Sequence, residues 1–239
     1  MDRIWNIYGL DNRSPLSGQA IADFYQHPVW LMNGIFTQLD PESAQHRRAI
    51  AKYLRDASIH NLADYGGGFG ELALAITETD RNTKVSIIEP YPSHAGLERI
   101  KDKCCIQFQS GLSGECFEAI IAQDVLEHVE DPIELAWQIA GSVQENGLVI
   151  FANCYHPFIL CHLPRTFHLR HSFRWIMRTM GLKYIGVVDG APHAQIFKRK
   201  GALFLRRARF FETCSRLLGP AINRIFGSLS RIRQRLDKT

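Results

Sequence analysis

The chain has 239 residues, 46% of them hydrophobic and 22% charged; this suffices for one α/β domain with a full core and excludes a broadly disordered chain. No run of eighteen apolar residues occurs, so no segment reads as a membrane-spanning helix. The net charge of +4 conceals an asymmetry: residues 198–239 hold twelve Lys or Arg against Glu212 and Asp237, a balance of +10 that leaves −6 on the first 197 residues.

The opening MDRIWNIYGLDNRSP lacks the apolar run of a secretory signal. The six cysteines form no CxxC pair, and reduced thiols in a cytoplasmic protein are the expectation. Residues 1–40 are rich in aromatics without a sustained period and predict short helices and loops that cap something. Asp40 and Pro41 then start a helix running to about Ser58. Strand and helix alternate from there: a strand at Asn61–Tyr65, a helix from Glu71 to Thr77, a strand at Lys84–Glu89, and a helix from Ser93 to about Lys103. Strands at Ile106–Gln109 and Phe117–Gln123 follow. A helix opens with Asp131 as N-cap and Pro132 at its first position and ends near Val143. The turn Glu145-Asn146-Gly147 leads into the apolar strand Leu148–Asn153. Residues 154–171 are irregular, Ser172 caps a helix that Gly181 ends, and Lys183–Val188 and Ala194–Lys200 pair as a terminal hairpin. Strands separated by helices indicate a mostly parallel sheet covered on both faces.

The segment NLADYGGGFGEL carries the chemistry. A strand ends at Asp64-Tyr65, glycines stand at 66, 68 and 70, and a helix begins. Glycine permits a sharp turn and lets a ligand lie against bare backbone, and the helix N-terminus suits a carboxylate. The pattern G-x-G-x-G differs from the G-x-G-x-x-G of dinucleotide sites. Glu89, nineteen residues after Gly70 and ending the next strand, is placed to accept hydrogen bonds from both hydroxyls of a ribose. Loop and acid together describe a site for a nucleoside joined to an amino acid.

Residues 64–70 resemble motif I of class I S-adenosylmethionine (SAM)-dependent methyltransferases. Glu89 is similar to their ribose-binding acid. EAIIAQDVLEHVEDP resembles the D-V-L-E-H-V-x-D-P segment of the branch that includes the ubiquinone-biosynthesis O-methyltransferases. The resemblance covers roughly residues 45–200. It implies a Rossmann-like seven-stranded sheet of order 3-2-1-4-5-7-6, mostly parallel, with helices on both faces. An N-terminal cap over 1–40, a methyltransferase domain over 41–200 and a basic helical tail over 201–239 complete the expected organisation. The family usually has an acid after the third strand to bind adenine; here Gln109-Ser110-Gly111 stand in its place. The residues implied to touch SAM are Asp64, Gly66, Gly67, Gly68, Phe69, Gly70, Glu89, Pro90, Gln109, Ser110, Gly111, Gln123 and Asp124. The implied activity is methyl transfer to a small-molecule acceptor, most simply a hydroxyl, with His156 or His128 as the base. A non-catalytic SAM-binding scaffold and a nucleic-acid methyltransferase are the competing readings.

No metal is expected. Asp124, Glu127 and His128, with His156 as a fourth ligand, are nevertheless the set through which certain relatives of this type bind a divalent ion. Cys154, His156, Cys161 and His162 match no common zinc spacing. His168, Arg170, His171 and Arg174 form a basic cluster that reads as a solvated face or as a contact for an anionic substrate. Gly219-Pro220 splits the tail into two helical stretches, and the second carries an apolar stripe (Ile222, Ile225, Phe226, Leu229, Ile232, Leu236) flanked by arginines. Three partners stay open for it: the protein's own acidic body, a second subunit in a homodimer, and a membrane surface. A membrane-borne, lipid-linked or anionic acceptor fits that tail, whereas nucleic acid is disfavoured because aromatic and basic residues do not interleave.

Overall fold

The computed structural model describes residues 1–16, 18–112, 114 and 116–218. Strands β1 (Asn61–Tyr65), β2 (Lys84–Ile88), β3 (Ile106–Gln109), β4 (Phe117–Gln123), β5 (Val143–Ala152), β6 (Leu182–Val188) and β7 (Ala191–Arg199) form one sheet of order β3-β2-β1-β4-β5-β7-β6. The pairs β1–β2, β1–β4, β2–β3 and β4–β5 are parallel, and β7 runs antiparallel to both β5 and β6. This is the expected Rossmann-like architecture.

Alternation along the strands divides the core into two layers. Ala63, Ile88, Ile120, Ala122, Val149, Phe151 and Phe197 face one side, under α7 (Pro132–Gly141), α8 (Phe173–Met180) and Ala208 of α9 (residues 205–218). Leu62, Val85, Ile87, Ala119, Ile121, Ile150 and Ile196 face the other, under α4 (Pro41–Asp56), α5 (Glu71–Thr79) and α6 (His94–Ile100). The predicted caps explain where two helices begin. The Asp40 carboxylate accepts from Ser43 N at 2.7 Å ahead of α4, and that of Asp131 accepts from Glu134 N at 3.0 Å ahead of α7.

Helices α1 (Asp2–Ile7), α2 (Gly18–Gln26) and α3 (Val29–Leu39) precede this core and have a small one of their own. Trp5, Leu10 and Phe24 are buried there with Cys161 and Leu163, so residues 1–40 pack on the irregular segment after β5. The Phe24 ring meets Trp5 and Trp30 edge-on, at 5.1 and 5.5 Å between centroids.

Three boundaries differ from expectation. β5 begins at Val143 because the turn at 145–147 is a bulge inside the strand: Phe117 pairs with Val143 and Ala119 with Leu148, and Asn146 takes φ 66°. β7 begins at Ala191, directly after a tight turn at Gly190, which takes φ 83°. Ser172 precedes α8 without capping it; its hydroxyl donates to His168 O at 2.9 Å and lies 2.6 Å from Ser215 Oγ. The Gly219-Pro220 break and the apolar stripe beyond it lie outside the described residues. Among the described residues, no helix is long and apolar enough to cross a membrane.

Candidate functional site

The loop after β1 takes its shape from what glycine allows. Gly66 has φ 72°, and a Cβ there would lie 2.5 Å from Val125 Cγ2; a Cβ on Gly67 would lie 2.5 Å from Asp64 Oδ2. Gly66 N donates to Ile88 O at 2.8 Å, which fastens the loop to β2. Gly68 differs: with φ 51° it has no neighbour within 4 Å of its Cβ position, and it lines a cavity of about 1070 Å³. Its outward side is therefore open, while its backbone N–H donates to the Glu89 carboxylate. Gly66, Gly67 and Phe69 line the same cavity, but Gly70 does not. Gly70 takes φ 78° to start α5, and its Cβ position lies 3.1 Å from Ile87 Cδ1, so the expected cofactor contact is corrected to a structural one.

Two acids face this loop. Asp64 is 2% exposed, lines the cavity, and leaves Oδ2 without a partner. Burial, with Glu89 nearby, pushes its pKa up to about 7. Glu89, just past the end of β2, accepts from Tyr91 N at 3.2 Å; burial outweighs that bond and raises its pKa. Pro90 lies beside it on the wall. Gln109, Ser110 and Gly111 stand outside the cavity, against expectation. The Gln109 amide turns under the sheet edge, 3.3 Å from Ser86 Oγ, and Gly111 borders a separate hollow of about 470 Å³ with Tyr65 and Trp137. On the neighbouring strand β2, Ser86 supplies a polar partner, and this draws the glutamine away from the cavity.

Gln123 and Asp124, at the end of β4, line the cavity as expected. Asp124 has φ 53°, a conformation side chains rarely adopt, held by Asp124 N donating to Ala152 O at 2.7 Å. The cavity walls desolvate its carboxyl and raise its pKa.

A 3-10 turn at Leu126–His128 follows. Glu127 is fully buried; Oε1 accepts from Cys154 N at 2.7 Å and Oε2 has no partner. Burial, then Asp124, pushes its pKa up to about 8. His128 Nδ1 lies 3.0 Å from Cys161 O, and His162 Nδ1 lies 2.7 Å from His156 O. A carbonyl only accepts, so both Nδ1 atoms carry the hydrogen and both Nε2 atoms carry a lone pair. Burial, then His162, pushes the His128 pKa down to about 3. Ligand atoms of Glu127, His128 and His162 lie within 4.8 Å of one another. The structure thus replaces the sequence-expected set of Asp124, Glu127, His128 and His156: His162 joins the cluster, whereas Asp124 and His156 stay out of it. His156 is exposed, stacks on Phe158 and does not line the cavity, against expectation. Two members of the neighbouring basic cluster are engaged structurally, since Arg170 donates to Tyr155 O at 2.9 and 3.1 Å and His168 faces the Glu212 carboxylate at 3.4 Å.

Sequence reasoning missed three further wall residues. Arg47 of α4, 9% exposed, donates to Thr37 O at 2.9 Å and borders the loop end of the cavity. Trp30 of α3 has a buried Nε1 without a partner, and its ring stands edge-on to His128 at 6.4 Å. Tyr25 of α2 lies 5.0 Å from the Trp30 ring. The cap is seated on the loop itself: a Cβ at Gly34 of α3 would lie 2.4 Å from the Phe69 ring.

A doubly wound sheet with a glycine loop and an acid on adjacent strand ends defines an α/β protein of the nucleoside-binding kind. Comparison with known proteins narrows this. A family model described as a methyltransferase domain matches residues 38–187, and the chain belongs to that family. It is 27% identical to the ubiquinone biosynthesis O-methyltransferase of Histophilus somni (strain 2336), with 65% of each chain covered; it thus spans about two thirds of that curated relative. Among solved structures, a 1,6-didemethyltoxoflavin-N1-methyltransferase from Burkholderia thailandensis superposes with TM-score 0.59 at 11% identity, covering 79% of this chain and 93% of the other. The magnesium protoporphyrin IX methyltransferase from Synechocystis PCC 6803 gives TM-score 0.57 at 14% identity, covering 79% and 100%. At these identities the likeness is one of fold.

Proposed function

We propose that the chain binds SAM in the main cavity and transfers its methyl group to a hydroxyl of a small-molecule acceptor. The observation that carries this reading is the meeting of the glycine loop, through Gly68, with the Glu89 carboxylate on one cavity wall. At about 1070 Å³ the cavity stands at the top of the usual ligand-pocket range of about 300–1,000 Å³, which leaves room for an acceptor beside the cofactor. The orphaned Asp64 Oδ2 suits the methionine ammonium, Arg47 suits the carboxylate, and Glu89 suits the paired ribose hydroxyls. Gln123 and Asp124 face the methionine portion. Bound there, SAM would supply an electrophilic methyl group on a cationic sulfur to the acceptor oxygen, leaving the neutral thioether, with the hydroxyl proton passing out to bulk solvent. His128 Nε2 accepts a hydrogen bond from the acceptor hydroxyl and so orients it. Trp30, Tyr25 and the rest of the cap hold the acceptor and exclude water, and orientation of this kind contributes about 7–11 kcal/mol in well-aligned systems. The name of the Histophilus somni relative supports oxygen as the acceptor atom.

The test is titration calorimetry with SAM, followed by labelled-SAM incubation with an extract and identification of the product. Glu89→Ala removes charged hydrogen bonds of about 1.5–3 kcal/mol each, so cofactor affinity is expected to fall at least tenfold. Equal affinity in that variant refutes the assignment; binding without any labelled product leaves a non-catalytic scaffold as the answer.

One observation favours a second reading, in which the His128 Nε2 lone pair ligates an ion instead of accepting from the acceptor hydroxyl. The unpartnered Glu127 Oε2, with His128 and His162 each tethered to a carbonyl through Nδ1, has the donor set and outer-shell support of a divalent-cation site. Such an ion polarises an acceptor oxygen. Metal analysis of the dialysed protein is expected to show an ion that Glu127→Gln loses; identical metal content in both proteins dismisses it.

A further inference from the structure

We propose that the outer face of α8 and α9 is a docking surface for anionic lipid. The two helices lie side by side and antiparallel. Phe204 N, just before α9, donates to Met180 O at the end of α8 at 2.7 Å, and Ser215 Oγ of α9 meets Ser172 Oγ at the start of α8 at 2.6 Å. Both helices cover the same side of the sheet: Phe173, Ile176, Met177 and Met180 of α8 and Ala208 of α9 enter one core layer. Their opposite faces therefore point the same way, out of the molecule. On α9 the buried positions 208, 212 and 215 put Arg206, Phe210 and Leu217 on the outward side. On α8 the outward residues are Arg174, Trp175 and Arg178.

This face is apolar and cationic together. Trp175 is 52% exposed, Phe210 65% and Leu217 77%. The guanidinium groups lie over rings, Arg174 at 5.0 Å and Arg178 at 4.8 Å from Trp175, which keeps the aromatic plane and the charge within one patch. Acids are missing around it: none occurs from residue 170 to 188 or from 190 to 211. Glu212 faces inward at 4% exposure, already paired with Arg209 and Arg216. Asp131 and Glu134 of α7 are likewise taken by Arg209. Protruding Trp and Phe seat at a headgroup boundary while arginines beside them reach phosphates. The same surface suits other partners poorly. A second copy would set arginine against arginine across a two-fold axis. A nucleic-acid strand has no use for Leu217 and Leu218, which are among the most exposed side chains of α9.

The test is co-sedimentation of the full chain with vesicles of phosphatidylcholine alone and of phosphatidylcholine with phosphatidylglycerol. Binding is expected only to the anionic vesicles. Each arginine is worth about fivefold in partition, so Arg174→Glu with Arg178→Glu is expected to weaken binding at least tenfold. This α8 pair is decisive because it belongs to a different segment of the sequence from the basic residues after 218. Phe210→Ser with Leu217→Ser is expected to weaken binding severalfold and to leave cofactor affinity unchanged, which shows the fold intact. Equal binding to both vesicle types overturns the proposal. So does retention of vesicle binding by the α8 variant, or displacement of the anionic vesicles by RNA at matched charge.

Discussion

The floor of the cavity and its roof are built by different means. The floor, residues 64–70 with Glu89 and Asp124, is main chain held by the sheet: Gly66 N is fastened to Ile88 O and Asp124 N to Ala152 O. The roof, α1 to α3 with residues 159–163, is a small aromatic core in which Phe24, Trp5, Trp30 and Tyr25 hold one another. A floor defined by backbone tolerates almost no side-chain change, whereas a roof defined by packing can be recut while it stays folded. The part that grips a constant ligand is thus separated from the part that can change with the acceptor.

Gly66→Ala strikes at the floor and carries the largest expected effect. A left-handed residue costs about 1–2 kcal/mol and the collision with Val125 about 1–3 kcal/mol more, so denaturant unfolding is expected to show a loss of about 2–5 kcal/mol together with weakened SAM binding. A loss below about 1 kcal/mol would place the loop elsewhere.

The ion-pair brace of α9, where Glu212 meets His168, Arg209 and Arg216, comes next. Burial alone would raise the pKa of Glu212, but His168, Arg216 and Arg209 outweigh it and hold it down, to about 2. A carboxylate depressed in the folded state stabilises fully above its unfolded pKa of about 4.5 and loses that contribution as pH falls toward 2. Glu212→Gln is expected to lose about 2–3 kcal/mol at neutral pH and to flatten the pH dependence of unfolding between pH 4.5 and 2. An unchanged acid limb in the variant contradicts this.

The smallest effect belongs to the roof. Trp30→Phe removes one donor from a cavity wall, worth about 0.5–1.5 kcal/mol. It is expected to raise the acceptor KM about two- to tenfold with SAM affinity unchanged, and a fall in SAM affinity instead would move Trp30 to the floor.

The same division explains what the sequence made legible. The strands, the caps at Asp40 and Asp131, the glycine loop and Glu89 are local patterns in which the residue type follows from backbone geometry. His162, Arg47 and Trp30 reach the cavity from segments distant in sequence, and no local pattern marks them. Local reading placed His156 at the site because it follows β5, but the chain turns there and sends His162 inward in its stead. Gln109 was misjudged because its partner, Ser86, belongs to the neighbouring strand.

The absence of a side chain at Gly34 lets α3 rest on the Phe69 ring. Any ligand that fixes Phe69 therefore also fixes the ceiling above it, and by reciprocity a settled ceiling tightens the binding of that ligand.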